Sequence, residues 1–154
     1  MACTTINMTK LRQDLERDEG RVDEIYIDSL GHKTFGIGHL VTEVDNEYIY
    51  PVGTEVDSAR VSECFDDDIS EAEMECAALY AGSWWEFSGE LKSILVNMMF
   101  NLGRTRLSKF RKMNAAIARQ DWNEAGKEGR DSLWYKQVGN RAERLMTRME
   151  NLGD

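Results

Sequence analysis

Long apolar runs, paired cysteines and clustered histidines are the three things this sequence does without. No stretch of 18 apolar residues occurs anywhere in the 154 residues, so no membrane-spanning helix and no membrane insertion are expected. Cysteine is confined to Cys3, Cys64 and Cys76. The set is odd, has no Cys-x-x-Cys, and its last two members read as lying on one helix ~18 Å apart at 1.5 Å rise per residue, too far to bridge. Reduced thiols are the simple expectation. The two histidines, His32 and His39, are seven apart in an extended segment and so face opposite ways, with no thiol nearby in sequence. Neither a metal site nor a cofactor is expected. Gly36-Ile37-Gly38 lacks the third glycine and following helix of a dinucleotide fingerprint, and no Gly-x-Ser-x-Gly elbow is present. The opening Met1-Ala2-Cys3-Thr4-Thr5-Ile6-Asn7 has neither a basic region nor an apolar core for secretion, so a cytoplasmic product is expected.

Charge is present but unevenly placed. The net value of −9 divides into residues 1–88, with 6 Lys and Arg against 20 Asp and Glu (−14), and residues 89–154, with 13 against 8 (+5). A basic C-terminal half can face an anionic polymer, while decoration of a solvated surface is an equal alternative. Trp122 and Trp134 within that basic half fit helical packing as well as nucleic-acid stacking, and no nucleic-acid partner is expected. The length suits one domain of two lobes.

The stretch Glu19–Leu40 organises the rest. Met8, Leu11 and Leu15 recur at helical spacing behind Thr9 as cap, so a short amphipathic helix should end at Gly20 with Glu19 at its tip. Ile25-Tyr26-Ile27 favours a strand, Ser29-Leu30-Gly31 a turn, and Thr34-Phe35-Gly36-Ile37-Gly38 a returning strand of strict period two. On that reading Thr34, Gly36 and Gly38 share one face, where missing side chains let something bulky approach; relief of twist or a bulge is the blander use of such glycines. Asp28 at the strand's end, Glu19 at the helix's end and the Thr34 hydroxyl are sufficient for glycosidic hydrolysis. One carboxyl donates a proton to the leaving oxygen, and an ionised one activates water. Most of the nearby acids, Asp14, Glu16, Asp18, Asp23 and Glu24, are expected to be solvated surface charges.

Beyond the hairpin, residues 41–57 read as irregular around Tyr48-Ile49-Tyr50-Pro51. A long connecting helix is expected from Ser58 to about residue 80, with Asp66-Asp67-Asp68 on a solvated face rather than in a cation loop. Ala81-Gly82-Ser83 should break it before the Trp84-Trp85-Glu86-Phe87 cluster, which reads as core packing. Leu91–Leu102 should be the buried central helix ended by Gly103. Helices over 108–119, from Asp121 to about Arg130, and over 140–151 follow, with Asp121 and Asn140 as caps. The fold class expected is α+β, mostly helical, with a hairpin lobe at about 20–57, a connecting helix at about 58–80, and a helical lobe over about 81–154 that includes the N-terminal helix.

Three motifs carry a family resemblance. Arg17-Asp18-Glu19-Gly20, Ile25-Tyr26-Ile27-Asp28 and the run from Gly31 through Thr34 and His39 to Leu40 together resemble the active-site segment of the T4-type phage lysozymes, the endolysins of glycoside hydrolase family 24. Asn97–Gly103 resembles the family's central helix, and Trp134-Tyr135 with Asn140-Arg141-Ala142 its C-terminal motif. The resemblance implies a lysozyme-like fold with Glu19 as general acid, Asp28 as the water-activating carboxylate and Thr34 as the hydroxyl that positions the water. It further implies an inverting mechanism, Leu40, Phe100 and Asn101 as substrate contacts, and His39 and Arg141 as supporting residues, Arg141 reaching toward Asp18 and Glu19. Sugar-contacting positions of the family fall on Met113 and Glu128, whose side chains depart from the family pattern.

The activity implied is cleavage of the β-1,4 bond between N-acetylmuramic acid and N-acetylglucosamine in bacterial peptidoglycan, by a monomer that waits in the host cytoplasm and reaches the wall through a holin's lesion or within a virion. Lytic transglycosylation on the same fold and an inactive wall-binding or virion structural protein are the competing readings.

Overall fold

The computed structural model describes residues 3–154. It is α+β and mainly helical: α1 (Met8–Glu19) leads into a sheet of β1 (Val22–Ile27), β2 (Lys33–Gly36) and β3 (His39–Leu40), followed by helices alone. The chain divides into two compact units, one of Arg12–Glu71 and the other of the residues up to Leu11 with Ala72–Asp154. Each boundary falls inside a continuous helix, the first in α1 and the second in α2 (Ser58–Tyr80).

In α1, Leu11 and Leu15 are buried as their spacing requires, whereas Met8 is exposed. The cap is Asn7, not Thr9: Asn7 Oδ1 accepts the Lys10 amide at 3.1 Å, and Thr9 is already the second residue of the helix. Gly20, at φ +75°, ends the helix, a left-handed conformation that only glycine adopts without steric cost. The nearby acids are not all solvated. Asp14 is buried and accepts from Arg17 at 3.2 Å, and the almost fully covered Asp18 carboxylate lies 3.7 Å from the same guanidinium.

The sheet is antiparallel in the order β1-β2-β3, with Tyr26 opposite Thr34, Thr34 opposite Leu40 and Phe35 opposite His39. The strand expected over Thr34–Gly38 stops at Gly36. Gly36 and Gly38 both have positive φ, +65° and +66°, so the chain reverses at Ile37 and returns as β3. The missing Gly36 side chain makes room for Val61, whose Cγ1 would stand 3.1 Å from a Cβ placed there, so that glycine serves internal packing rather than an open face.

The interval 41–57 is more ordered than its composition suggests. A 3-10 turn spans Asn46–Ile49, its end tied down by Lys33, whose amine donates to the carbonyls of Tyr48 and Tyr50. Residues 53–56 run beside the bulged middle of β1, with Gly53 N–H donating to Ile25 O at 2.7 Å, Ile25 N–H to Thr54 O at 2.9 Å and Val56 N–H to Asp23 O at 2.9 Å. The extra β1 residues at the bulge thus gain partners their own sheet does not supply.

α2 buries Val61, Cys64, Phe65, Ile69, Ala72 and Cys76 at three- and four-residue intervals. Asp68, expected on a solvated face, instead accepts from His39. Past α2, a 3-10 segment over Ala81–Glu86 buries Trp84 against Tyr80 and Phe87 but leaves Trp85 70% exposed, so only half of the tryptophan pair is core.

α3 (Gly89–Leu102) is buried on nearly every side, starts on Ser88, whose hydroxyl accepts the Leu91 amide at 3.1 Å, and stops at Gly103 at φ +79°. Around it lie α4 (Arg104–Ser108), α5 (Arg111–Ala118), α6 (Trp122–Arg130), α7 (Leu133–Val138) and α8 (Asn140–Glu150). The helix expected over 108–119 instead begins at Arg111, after a break at Phe110, which packs edge-on to Trp134 at 6.0 Å; neither α4 nor α7 was expected. Asp121 caps α6 as expected, accepting the Glu124 amide at 3.2 Å. Asn140 does not cap α8; Gly139, at φ +59°, precedes it without a side-chain cap. α6 and α8 pack closely because Gly126 and Gly129 have no side chains: a Cβ on Gly129 would fall 2.1 Å from Met146 Sδ.

Candidate active site

The unit Arg12–Glu71 carries five of the residues singled out by sequence: Glu19, Asp28, Thr34, His39 and Leu40. Glu19 is the last residue of α1, Asp28 follows β1, and Thr34 lies in β2.

Asp28 is organised by its own turn. Its Oδ1 accepts the amides of Leu30 at 2.9 Å and His32 at 2.7 Å, while its amide donates to the His32 carbonyl at 2.8 Å. The His32 backbone bond is the main reason that the carboxyl is held below its ordinary range, with the Leu30 amide and the His32 imidazole adding to it against the effect of burial. Asp28 is thus an ionised carboxylate at neutral pH, and the other oxygen, Oδ2, lies 3.6 Å from His32 Nδ1.

Thr34 is buried at 3% exposure and its hydroxyl donates to the His32 carbonyl at 2.9 Å. With its proton committed to the backbone, the oxygen presents lone pairs only. It can accept a hydrogen from water and leave that water's own lone pair free.

Tyr26 reads in the sequence as a strand former and nothing more. It pairs with Thr34 across the ladder, and its phenol is pushed up first by burial, then by the charges of Asp28 and Glu19. One hydroxyl therefore feels both carboxyls, though β-propensity alone says nothing of this.

His39 is held on both ring nitrogens, Nδ1 2.7 Å from Asp68 Oδ2 and Nε2 3.0 Å from Asp45 Oδ2. Both partners are carboxylates, so the imidazolium, with two N–H donors, fits them. Burial opposes that charge, but Asp68 and Asp45 together raise the His39 pKa above its usual value. Asp45 also receives Arg60 at 3.3 Å, and Arg60 grips the buried Glu47 at 2.8 Å. Leu40, opposite Thr34, is half exposed.

The other candidates belong to the helical unit. Phe100 and Asn101 lie in the last turn of α3, and the Asn101 side-chain carbonyl accepts from Trp134 Nε1 at 2.8 Å, which leaves its NH2 as the group able to meet a ligand. Arg141 is buried, with Nε donating to Asn97 Oδ1 at 2.9 Å and Nη2 to the Asn97 carbonyl at 3.3 Å. Met113 is 1% exposed and belongs to the core, although with Glu128, Lys109 and Arg111 it borders a hollow of about 410 Å³. Among the described residues no group of His, Cys, Asp or Glu is arranged to hold a metal ion, and no helix is long and apolar enough to cross a membrane.

The sequence profile of the family described as phage lysozyme matches residues 16–151, which takes in every residue of this site. The chain belongs to the phage lysozyme family. Among lysozyme relatives, it is 29% identical to probable T4-type lysozyme 2 and 26% identical to probable T4-type lysozyme 1 of Dictyostelium discoideum, each over 93% of this chain and 95% of the relative. It is also 30% identical to the pre-baseplate central spike protein Gp5 of Enterobacteria phage T4 over 85% of this chain, which spans 26% of that longer protein. Membership of the phage lysozymes supports a peptidoglycan hydrolase of the lysozyme type.

Proposed function

We propose that the protein hydrolyses the β-1,4 bond between N-acetylmuramic acid and N-acetylglucosamine in bacterial peptidoglycan with inversion at the anomeric carbon. The observation that carries this reading is that, in a chain of the phage lysozyme family, the turn amides of Leu30 and His32 hold the Asp28 carboxylate while the His32 carbonyl accepts both the Asp28 amide and the Thr34 hydroxyl. Glu19 gives its proton to the departing glycosidic oxygen. Asp28, held ionised by its turn, takes a proton from a water whose other hydrogen Thr34 accepts. That water's oxygen bonds to the anomeric carbon from the side opposite the leaving group, and the next turnover requires the proton on Asp28 to return to Glu19 through solvent. Inversion of this kind needs carboxyls ~6.5–9.5 Å apart, to admit the water.

In the same reading Leu40, Phe100 and Asn101 contact the glycan and His39 and Arg141 support the site. The protein acts as a monomer on the periplasmic wall after release from the host cytoplasm through a holin lesion. Similarity to the central spike protein favours a second deployment, carriage within the virion, which mass spectrometry of purified particles would reveal.

Glu19→Gln tests the chemistry. It should abolish clearing of outer-membrane-permeabilised Gram-negative cells while leaving thermal unfolding nearly unchanged; full clearing would reject Glu19 as the acid. Reducing ends among the products mark hydrolysis, and anhydromuramic ends mark transglycosylation instead.

A further inference from the structure

A general acid must be held in one orientation to donate its proton, and Glu19 is placed where that is demanding. It is the final residue of the helix, Gly20 turns the chain away immediately after it, and a glutamate has three side-chain torsions to fix. One feature that its side chain meets is the loop between β2 and β3. A Cβ built on Gly38 would lie 2.9 Å from Glu19 Oε2 and 3.3 Å from both its Cβ and Cδ, closer than van der Waals contact allows. Elsewhere in this unit, Gly20, Gly31 and Gly53 share a positive φ yet have nothing within 4 Å of where a Cβ would stand. There the backbone conformation alone asks for glycine. At Gly38 two demands coincide: φ of +66°, and a vacancy that the Glu19 side chain fills.

We propose that Gly38 is a positioning residue for Glu19, its bare Cα forming the seat against which the proton-donating carboxyl rests. The inference deepens the proposed glycosidase and rests on Glu19 being its acid. The seat is firm because the loop is pinned at both ends. Phe35 and His39 are ladder partners whose rings lie 4.9 Å apart, and His39 is in turn clamped by Asp45 and Asp68. A fixed backbone surface on one side of the carboxyl restricts its torsions, which favours a single donating geometry. It also gives His39 a function: it anchors the loop that seats the acid, without touching the reacting atoms.

A double-mutant cycle tests this. Gly38→Ala should lower Tm about twice as much as Gly53→Ala, which carries the backbone strain alone, and most of the excess should be lost in a Glu19→Ala background, where Oε2 and Cδ are gone and only the 3.3 Å contact to Cβ remains. In wall lysis Gly38→Ala should cut kcat by about 10- to 100-fold with KM nearly constant, while Gly53→Ala keeps kcat. Equal Tm losses in both backgrounds, or an unchanged kcat, would overturn the proposal. If Gly38→Ala alone does not fold, recovery of folding on adding Glu19→Ala supports the seat, and failure of both variants to fold rejects it. The Tm coupling is independent of catalysis, so it separates a wrong seat from a wrong acid, which Glu19→Gln reports.

Discussion

His39 Nδ1 stands 2.7 Å from Asp68 Oδ2, a bond between the start of β3 and the middle of α2 that joins residues 29 apart in sequence. With Asp45 on the other ring nitrogen, the histidine is charged in the folded protein and raised above its unfolded pKa. Its contribution to stability is therefore fully present below the unfolded value of about 6.5 and is lost as pH rises through the raised folded value.

That sign sets the first prediction. His39→Asn should destabilise the protein by about 2–3 kcal/mol at pH 5–6, and the gap from wild type should narrow toward alkaline pH. Asp45, whose folded pKa is lowered, adds stability above its unfolded range that fades as pH falls through the folded value. Urea titrations from pH 3 to 10 should trace a plateau bounded by both groups, and a gap that grows toward alkaline pH contradicts the charged clamp.

Asp28→Asn should reduce lysis by about 10²–10⁴-fold while Tm stays close to wild type. The amide oxygen still accepts from Leu30 and His32, so the turn survives, but the charge that takes water's proton is gone. Because its carboxyl sits below the ordinary range, the acidic limb of kcat/KM should fall below that of a free aspartate.

Asn97→Ala should cost about 1–3 kcal/mol by chemical denaturation, since it strips a buried guanidinium of its 2.9 Å acceptor. An Asn97→Asp variant, which keeps an acceptor and adds a charge partner, should recover much of the loss.

Gly129→Ala should destabilise by about 1–3 kcal/mol through overpacking against Met146. Met146→Ala in the same chain should relieve the clash, so that the pair is less damaging than the sum of its parts.

Thiol titration should find one fast site. Cys3 is exposed, whereas Cys64 and Cys76 are buried and free, and burial pushes Cys64 up to about 11. Native protein should release about one equivalent with an aromatic disulfide reagent, and denatured protein the remainder.

Periodicity made the long helices legible. α2 and α3 announce themselves because an unbroken 3.6-residue pattern leaves no other way to bury their apolar residues, and Ser88 and Asp121 mark helix starts whose free amides need an acceptor. Short elements were harder. The three-residue reversal Gly36-Ile37-Gly38 has the alternation of a strand, and nothing local distinguishes the two; positive φ at both glycines became apparent only once β3 returned against Phe35. Residues 53–56 owe their form to β1, distant in sequence, whereas α7 is a short helix whose local signals are a Ser132 cap and a stop at Gly139.

The same division holds for chemistry. Residue type, spacing and family resemblance nominate Glu19, Asp28 and Thr34, and the helix end, the turn and the strand that present them are specified locally. Tertiary structure decided which protons are where: two turn amides keep Asp28 ionised, a carbonyl claims the Thr34 hydroxyl's hydrogen, and two carboxylates charge His39. Protonation and orientation depend on distances of about 3 Å between groups far apart along the chain, and such distances come into being only when it folds.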